Sequence, residues 1–375
     1  MRLAPEKLLR GGAAVLGLCV LLLLVAEGAA RLFTAPPPAP YVHHPLLGPG
    51  WAPDYSFERL SIDEPPVLFT LQVNHLGFRG KRMKTEKKPA GAYRIFFIGA
   101  STVENALLPE ERTFAGRTDD ALAERFKGSP AVEVANTGVA GTSIEFATGM
   151  LVHRVLPLEP DLCVFLVAHN AFFDSMRDAW DPGAPPGPEA PPSFKDWLSG
   201  ASRLVALLDA RKRARSARED NKLGWYEAHR KDRHASSFTE PKNDIFRGVP
   251  YFKKCLKRLA TLCKSEGCAC AFMTQPALYK DRMRPEEEAA LQGVVVDGQN
   301  LPTATIKLAL DAYDEATREV CREEGALLID AARKVPRDLT CFVDDVHLTS
   351  KGNEAVAASV LEAIVDAKGS LPRPR

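Results

Sequence analysis

From residue 93 onward, short apolar runs alternate with longer segments in which apolar residues recur about every three to four positions. The short runs predict buried strands, and the longer segments predict amphipathic helices. The predicted strands cover residues 94–98, 132–136, 163–167, 270–274 and 327–330. The predicted helices cover residues 113–126, 144–155, 251–265, 306–324 and 350–367. This alternation predicts an α/β fold, a three-layer α/β/α sandwich built around a mostly parallel five-stranded sheet.

A different pattern lies at the N-terminus, where residues 11–30 form the apolar stretch "GGAAVLGLCVLLLLVAEGAA" after Arg2, Lys7 and Arg10. A stretch of about 20 apolar residues is long enough to cross a membrane as a helix. Basic residues before it predict that the N-terminus stays in the cytoplasm and that the rest is exported. Two interpretations stay open: the small residues 28–30 suit a cleaved signal peptide, whereas the length and Glu27 suit an uncleaved transmembrane helix.

The patterns divide the chain into segments. Residues 1–32 are the predicted signal-anchor segment, and residues 33–92 are a proline-rich spacer with a short pre-domain segment. Residues 93–370 are the predicted α/β domain, interrupted at about 174–248 by an insertion that contains the proline-rich stretch "DPGAPPGPEAPP". The insertion is either a cap over a site or a solvated excursion.

The insertion also carries a basic helical run, whose cations suit lipid headgroups or an acidic polymer, or simply form a solvated helix face. These cations are Arg211, Lys212, Arg213, Arg215 and Arg218. Over the whole chain, Lys and Arg total 49 while Asp and Glu total 48. This balance argues against a nucleic-acid partner held by bulk charge.

Eight cysteines would suggest disulfides in an exported chain. Cys263, Cys268 and Cys270 form a C-x4-C-x-C pattern, but the nearby sequence supplies no fourth ligand for a tetrahedral zinc site. We therefore expect packed or locally paired thiols and no metal.

The first candidate for chemistry is Ser101, which follows the apolar run "YRIFFIGA". Small residues before it permit the sharp turn at a strand end that exposes a nucleophilic hydroxyl. The same sequence is also typical of a turn that caps the next helix. Taken alone, the stretch leaves both interpretations open.

Two further strand ends offer groups that could stabilise an oxyanion. Gly141 lies in "VANTGVAGTS", where a residue without a side chain lets a backbone N–H point into a cleft. Asn170 follows the strand in "FLVAHN" and could donate from its side-chain amide. An ordinary turn explains either residue in isolation. The neighbouring His169 is expected to have a structural or pocket-lining role.

The fourth candidate is the loop "CFVDDVHLTSKG", in which Asp344 and His347 are three residues apart. This spacing lets one loop present a base together with the carboxylate that fixes its tautomer. The rival carboxylate, Asp345, is expected to project the other way. Thr349 is expected to cap the helix that follows.

The order of Ser101, Gly141, Asn170 and the Asp344-x-x-His347 pair resembles the four blocks of the SGNH or GDSL hydrolase superfamily. The segments "NHLGFRG" and "DDVHLTSKG" resemble a bacterial, membrane-attached branch of it. The resemblance implies a flavodoxin-like SGNH hydrolase fold. It also implies a bacterial inner-membrane protein, single-pass, with a periplasmic or extracellular domain.

The resemblance also implies residue roles: Ser101 is the nucleophile, His347 the general base and acid, and Asp344 its partner. Ser101, Gly141 and Asn170 form the oxyanion hole, and no metal or cofactor is needed. The sequence departs from the family pattern at Ala100, where Asp is usual, and at Ala168, where Gly is usual.

The expected activity is that of a serine esterase acting on an acyl or acetyl ester of a glycan or a lipid. Two alternatives remain. One is an O-acyltransferase that uses the same triad on cell-surface polysaccharide. The other is a catalytically silent envelope module that binds a glycan or a partner protein.

Overall fold

The computed structural model describes residues 5–44, 48–182, 194–219, 224–293, 295–365 and 369–372. The chain divides into two compact units, Met1–Ala39 with Gly187–Glu219, and Pro40–Pro186 with Asp220–Arg375. Most of the proline-rich part of the predicted insertion, residues 183–193, lies outside the described residues.

The strands of the described residues are β1 (Tyr41–His44), β2 (Gly48–Trp51), β3 (Ser56–Leu60), β4 (Leu68–Gln72), β5 (Ala92–Gly99), β6 (Ala131–Asn136), β7 (Leu162–Leu166), β8 (Ala269–Met273) and β9 (Leu327–Ile329). The first helices are α1 (Pro5–Phe33), α2 (Ser101–Glu104), α3 (Phe114–Phe126), α4 (Ile144–Met150), α5 (Ala168–Ser175), α6 (Phe194–Ala201) and α7 (Arg203–Glu219). The remaining helices are α8 (Gly224–Ala235), α9 (Val249–Ser265), α10 (Pro285–Ala290), α11 (Thr303–Glu324), α12 (Ala331–Lys334) and α13 (Ser350–Ile364).

The larger unit is built on a parallel five-stranded sheet with the order β6-β5-β7-β8-β9. On one face, α3 packs on β6 and α13; on the other, α9 packs on β8 and α11. The predicted three-layer α/β/α fold is thus confirmed. Each of the five strands lies within two residues of its predicted ends. The order is that of a doubly wound sheet, in which ligands bind at the carboxyl ends of the strands.

Burial explains why β5 forms where it does. Seven of the eight residues of β5, "AYRIFFIG", are buried, which is the pattern of a parallel strand covered by helices on both faces. Capping then sets where several helices begin. Thr113 Oγ1 accepts from the Gly116 N–H at 3.0 Å at the start of α3, and Thr349 Oγ1 accepts from the Gly352 N–H at 3.1 Å at the start of α13. The Thr349 cap is the one that the sequence predicts.

The region predicted as a spacer contains regular structure from residue 41 onward. β1 pairs with β2 and β3 pairs with β4, both antiparallel. Tyr41, Trp51, Tyr55 and Phe57 form a chain of ring contacts with centroids 4.6 to 6.0 Å apart. Aromatic burial of this kind stabilises structure that the proline content alone does not suggest.

The smaller unit consists of α1, α6 and α7. Residues 14–33 of α1 form a helix that is long and apolar enough to cross a membrane. Glu27 of α1 accepts hydrogen bonds from the backbone N–H groups of Arg203 and Leu204 at 2.8 and 2.9 Å. These are first-turn donors of α7 that have no partner within their own helix. The predicted basic helical run therefore begins against a carboxylate of α1.

A buried ion pair joins β5 to β6 in the larger unit. Arg94, whose side chain is 0% exposed, donates from Nε to Glu133 at 2.7 Å. Its other nitrogens donate to the carbonyls of Thr85, Glu86 and Leu158, each at 2.7 Å. One guanidinium thus ties the sheet to the segment that precedes it.

We expect Arg94→Ala to lower the free energy of unfolding by about 3–5 kcal/mol, because it leaves the Glu133 carboxylate buried without its partner. Urea denaturation of the full chain in detergent, followed by tryptophan fluorescence, measures the change. The matched control is Arg333→Ala, which removes a pair with Asp330 from a side chain that is 65% exposed and should change stability by less than about 1 kcal/mol. Equal losses in the two variants would contradict the prediction.

Candidate active site

The turn after β5 presents the Ser101 hydroxyl at the carboxyl edge of the sheet. β5 ends at Gly99, and Ser101 is the first residue of α2. A Cβ at Gly99 would lie 2.4 Å from the Leu166 carbonyl oxygen and 2.6 Å from the Val103 side chain. Only glycine therefore permits the close approach between β5, β7 and α2. As the first N–H of α2, the Ser101 amide has no acceptor within its own helix.

The loop before α13 brings His347 to this hydroxyl. His347 Nε2 lies 2.9 Å from Ser101 Oγ, although the two residues are 246 positions apart. On its other side, His347 Nδ1 lies 2.8 Å from Asp344 Oδ2 and 3.0 Å from Oδ1. The carboxylate requires Nδ1 to donate, so Nε2 carries the lone pair that can accept the Ser101 proton. The three side chains form one continuous hydrogen-bonded series.

The Asp344 carboxylate is 0% exposed, and both of its oxygens accept hydrogen bonds. Besides the imidazole, it accepts from the backbone N–H groups of Val346 and His347 at 2.9 and 2.8 Å. The Gln292 side-chain amide donates to its second oxygen. Burial acts to raise the pKa of Asp344, but His347 and these donors outweigh burial and hold the pKa below its ordinary value.

The hydrogen-bonded Asp344–His347 pair shifts the pKa of His347 in the opposite direction. Burial acts to lower the pKa of His347, but the charge of the Asp344 carboxylate and its hydrogen bond raise the pKa above the ordinary histidine value. The protonated imidazolium form of His347 is therefore stabilised at this position. A base that must briefly hold a proton benefits from this arrangement.

Asp345 faces away from this series. Its Oδ2 accepts from the Tyr279 hydroxyl at 3.0 Å, and its Oδ1 accepts from the Gln292 N–H at 3.0 Å. His169 Nε2 is 4.0 Å from Asp345 Oδ2. Burial lowers the pKa of His169, which favours a neutral ring packed on Phe173 at a centroid distance of 4.8 Å.

The two expected oxyanion groups lie on neighbouring loops. Gly141 has φ +74°, a left-handed conformation that favours glycine. Asn170 Nδ2 donates to the carbonyl of Thr142 at 2.8 Å, which holds the amide against the loop that carries Gly141. A side-chain amide has two N–H groups, so this bond leaves one for a ligand.

A cleft of about 10 Å³ lies beside the Ser101 hydroxyl. It is lined by residues from four strand ends: Ala100, Ser101, Thr102, Thr142, Leu166, Val167, His169, Asn170 and Gln275. A space of this size holds about one water molecule. Ser101, Asn170 and His169 thus share one small cavity.

Glu104, to which the sequence pattern gives no role, supports the turn that carries Ser101. Its side chain is 4% exposed. It accepts from the Tyr41 hydroxyl at 3.0 Å and from the Ala140 N–H at 3.2 Å. Burial raises the pKa of Glu104. The carboxyl group therefore links the Ser101 helix to the loop that carries Gly141.

Arg79 of the "GFRG" segment holds the far end of the same turn. It is 1% exposed and donates to the carbonyls of Glu104, Asn105 and Leu108 at 2.7, 2.8 and 2.9 Å. A fixed fork of guanidinium donors suits several convergent carbonyls. The only sequence signal was the motif itself, because nothing in the local pattern shows what Arg79 contacts.

No protein-family model matches the chain, and no curated protein sequence matches it. An α/β hydrolase from the metagenome of Lake Arreo, Spain, is 13% identical over 72% of this chain and 94% of that one, with a TM-score of 0.42. An acetylxylan esterase from Geobacillus stearothermophilus is 12% identical over 72% and 93%, with a TM-score of 0.41.

A GDSL-like lipase from Parabacteroides merdae is 13% identical over 72% of this chain and 94% of that one, with a TM-score of 0.42. Likeness at this level of identity and TM-score concerns the fold alone and carries no information about substrate or activity.

We expect Asp344→Asn to lower the pKa of His347, because it removes the largest of the charges that offset burial. The measurement is the pH titration of histidine NMR signals in the labelled full chain, with His347→Gln identifying the signal. Asp338→Asn, a change in an aspartate that bonds to Thr340, serves as control and should leave the titration in place. A pKa that stays raised in Asp344→Asn would show that another charge causes the shift.

Proposed function

We propose that this chain is a serine esterase of the SGNH type, which hydrolyses an ester through an acyl-serine intermediate. The supporting observation is the unbroken series from Ser101 Oγ through His347 to Asp344, at 2.9 and 2.8 Å. These are the distances at which a base accepts a proton from a nucleophile and a carboxylate orients the base.

In this proposal the Ser101 hydroxyl attacks the ester carbonyl carbon while His347 Nε2 accepts its proton. The tetrahedral oxyanion accepts hydrogen bonds from the Ser101 and Gly141 N–H groups and from Asn170. His347 then gives the proton to the departing alcohol. Water, activated by the same imidazole, releases the acid from Ser101 and restores the hydroxyl.

The Asp344 carboxylate acts through His347. It fixes the tautomer in which Nε2 is unprotonated, and its charge stabilises the imidazolium that forms during attack. It stays ionised because its pKa is held low. The buried Gln292 amide and two backbone N–H groups keep it in place.

The dimensions of the cleft support a short acyl group. Its volume of about 10 Å³ among the described residues leaves little room beside Ser101. The buried Leu166 and Val167 side chains form part of its wall. We therefore propose an acetyl ester as substrate class.

We further propose that the enzyme acts outside the cytoplasm, attached to the bacterial inner membrane by α1 with its domain in the periplasm. The apolar segment of α1 and the basic residues before it support this orientation.

We expect Ser101→Ala and His347→Ala each to lower the hydrolysis of p-nitrophenyl acetate by at least about 10³-fold, since either change breaks the triad. The full chain in detergent is assayed, and the same variants are tested for labelling by a fluorophosphonate. Ser265→Ala, which changes an exposed serine of α9, should behave as wild type. A p-nitrophenyl octanoate comparison tests the acyl length, and acetate should be preferred.

The outcomes separate the possible activities. Full activity in Ser101→Ala would refute the proposed nucleophile. Labelling without hydrolysis would show a reactive serine that requires another acceptor, and product analysis with a polysaccharide would then test acyl transfer. A folded wild type with neither labelling nor hydrolysis would refute the esterase proposal.

We expect a protease added to spheroplasts to degrade the large domain, because the proposed orientation places it outside the cytoplasmic membrane. Immunoblotting with an antibody to the C-terminal part of the chain measures the loss. A cytoplasmic marker protein must stay intact in the same sample. Degradation only after lysis of the spheroplasts would place the domain in the cytoplasm.

A further inference from the structure

The sheet brings four cysteines together on one of its faces. Cys163 of β7 and Cys270 of β8 are paired neighbours in register. Cys268 immediately precedes β8, and its side chain contacts that of Cys163. α9 packs on β8 and supplies Cys263 from its last turn. The cluster therefore draws on two strands, one helix and the loop between them.

The sulfur atoms converge closely. The Sγ atoms of Cys163, Cys263 and Cys268 all lie within 4.8 Å of one another, and Cys268 Sγ is 3.5 Å from Cys163 Sγ. Cys270 is the Cα partner of Cys163 in the sheet and is partly buried. All eight cysteines of the chain are free thiols in this structure.

The separations among Cys163, Cys263 and Cys268 suit three ligands of one tetrahedral metal ion. Zinc–thiolate bonds of about 2.3 Å in a tetrahedron place the sulfur atoms about 3.8 Å apart. Cys163 and Cys263 are 0% exposed and Cys268 is 4% exposed, so an ion bound there would be enclosed. We propose that Cys163, Cys263, Cys268 and Cys270 bind one Zn²⁺ ion through their thiolates.

Metal binding would also account for the charge of the cluster. The thiolate is the form of cysteine that binds metal. A buried anion is costly unless it is paired, and a divalent cation supplies that pairing.

The position indicates a structural site. Cys163 is the second residue of β7, near the amino ends of the strands, whereas Ser101 follows the carboxyl end of β5. The Cys268 N–H donates to the Cys263 carbonyl at 2.9 Å, which shapes the loop between α9 and β8. An ion bound by all four thiolates has no open position for substrate, and it would fasten α9 to the sheet.

The rival arrangement is a disulfide between Cys163 and Cys268, formed by loss of two electrons and two protons to an oxidising thiol–disulfide exchange protein. An exported chain meets such oxidants. A single disulfide uses two sulfur atoms, however, and gives no account of the convergence of Cys263 and Cys270. Metal binding uses all four.

The test measures the metal content of the full chain, purified from membranes in detergent without chelators, by inductively coupled plasma mass spectrometry. We expect about one zinc per chain in the wild type, as for other closed structural sites. Cys163→Ser and Cys268→Ser should lose at least about nine-tenths of it, since three ligands no longer enclose the ion. Cys255→Ser, a change in another buried cysteine of α9, is the matched control and should retain it.

A second measurement needs no variant. The wild-type chain, stripped of metal and loaded with Co²⁺ alone, should show the thiolate charge-transfer and visible absorption bands of a tetrahedral sulfur site. Wild-type chain that binds neither Zn²⁺ nor Co²⁺ would overturn the proposal. So would mass spectrometric identification of a Cys163–Cys268 disulfide in the chain isolated without reductant, or loss of zinc in Cys255→Ser equal to that in Cys163→Ser.

Discussion

The buried carboxylate of Asp344 is the constraint around which the candidate site is arranged. A charge that is 0% exposed can stay ionised only if donors surround it, and here the donors come from its own loop, from Gln292 and from His347. Satisfying that charge fixes the loop, and the fixed loop sets where His347 Nε2 meets Ser101. The proposed base is therefore positioned by an electrostatic requirement of the folded core.

The proposed nucleophile depends in the same way on a segment that precedes the α/β alternation. Arg79 donates hydrogen bonds to carbonyls at the end of α2 and just beyond it, and Tyr41 donates to the buried Glu104. A short helix of four residues has little stability of its own. Contacts from the residues before β5 supply what the helix lacks, so the region between the apolar N-terminal stretch and the sheet belongs to the site's support.

One parallel sheet supplies two chemically different regions. At the carboxyl ends of its strands, the strand-to-helix turns expose short polar side chains. The same turns leave backbone N–H groups pointing into a cleft. Its amino ends lie beneath α9, where cysteines of neighbouring strands meet on one face. The proposed hydrolytic chemistry and the proposed zinc ion are therefore separated by the length of the strands, and each can be tested without the other.

The sequence by itself determined the elements of the sheet, the apolar N-terminal helix and the order of Ser101, Gly141, Asn170 and His347, because hydrophobic periodicity and turn residues are local signals. Only the tertiary structure decided which side chains touch. The contacting residues are far apart in the chain: 52 positions for Gln292 and Asp344, 25 for Arg79 and Glu104, and 105 for Cys163 and Cys268. No local pattern records such contacts, since they arise when strands far apart in the chain become neighbours in one sheet.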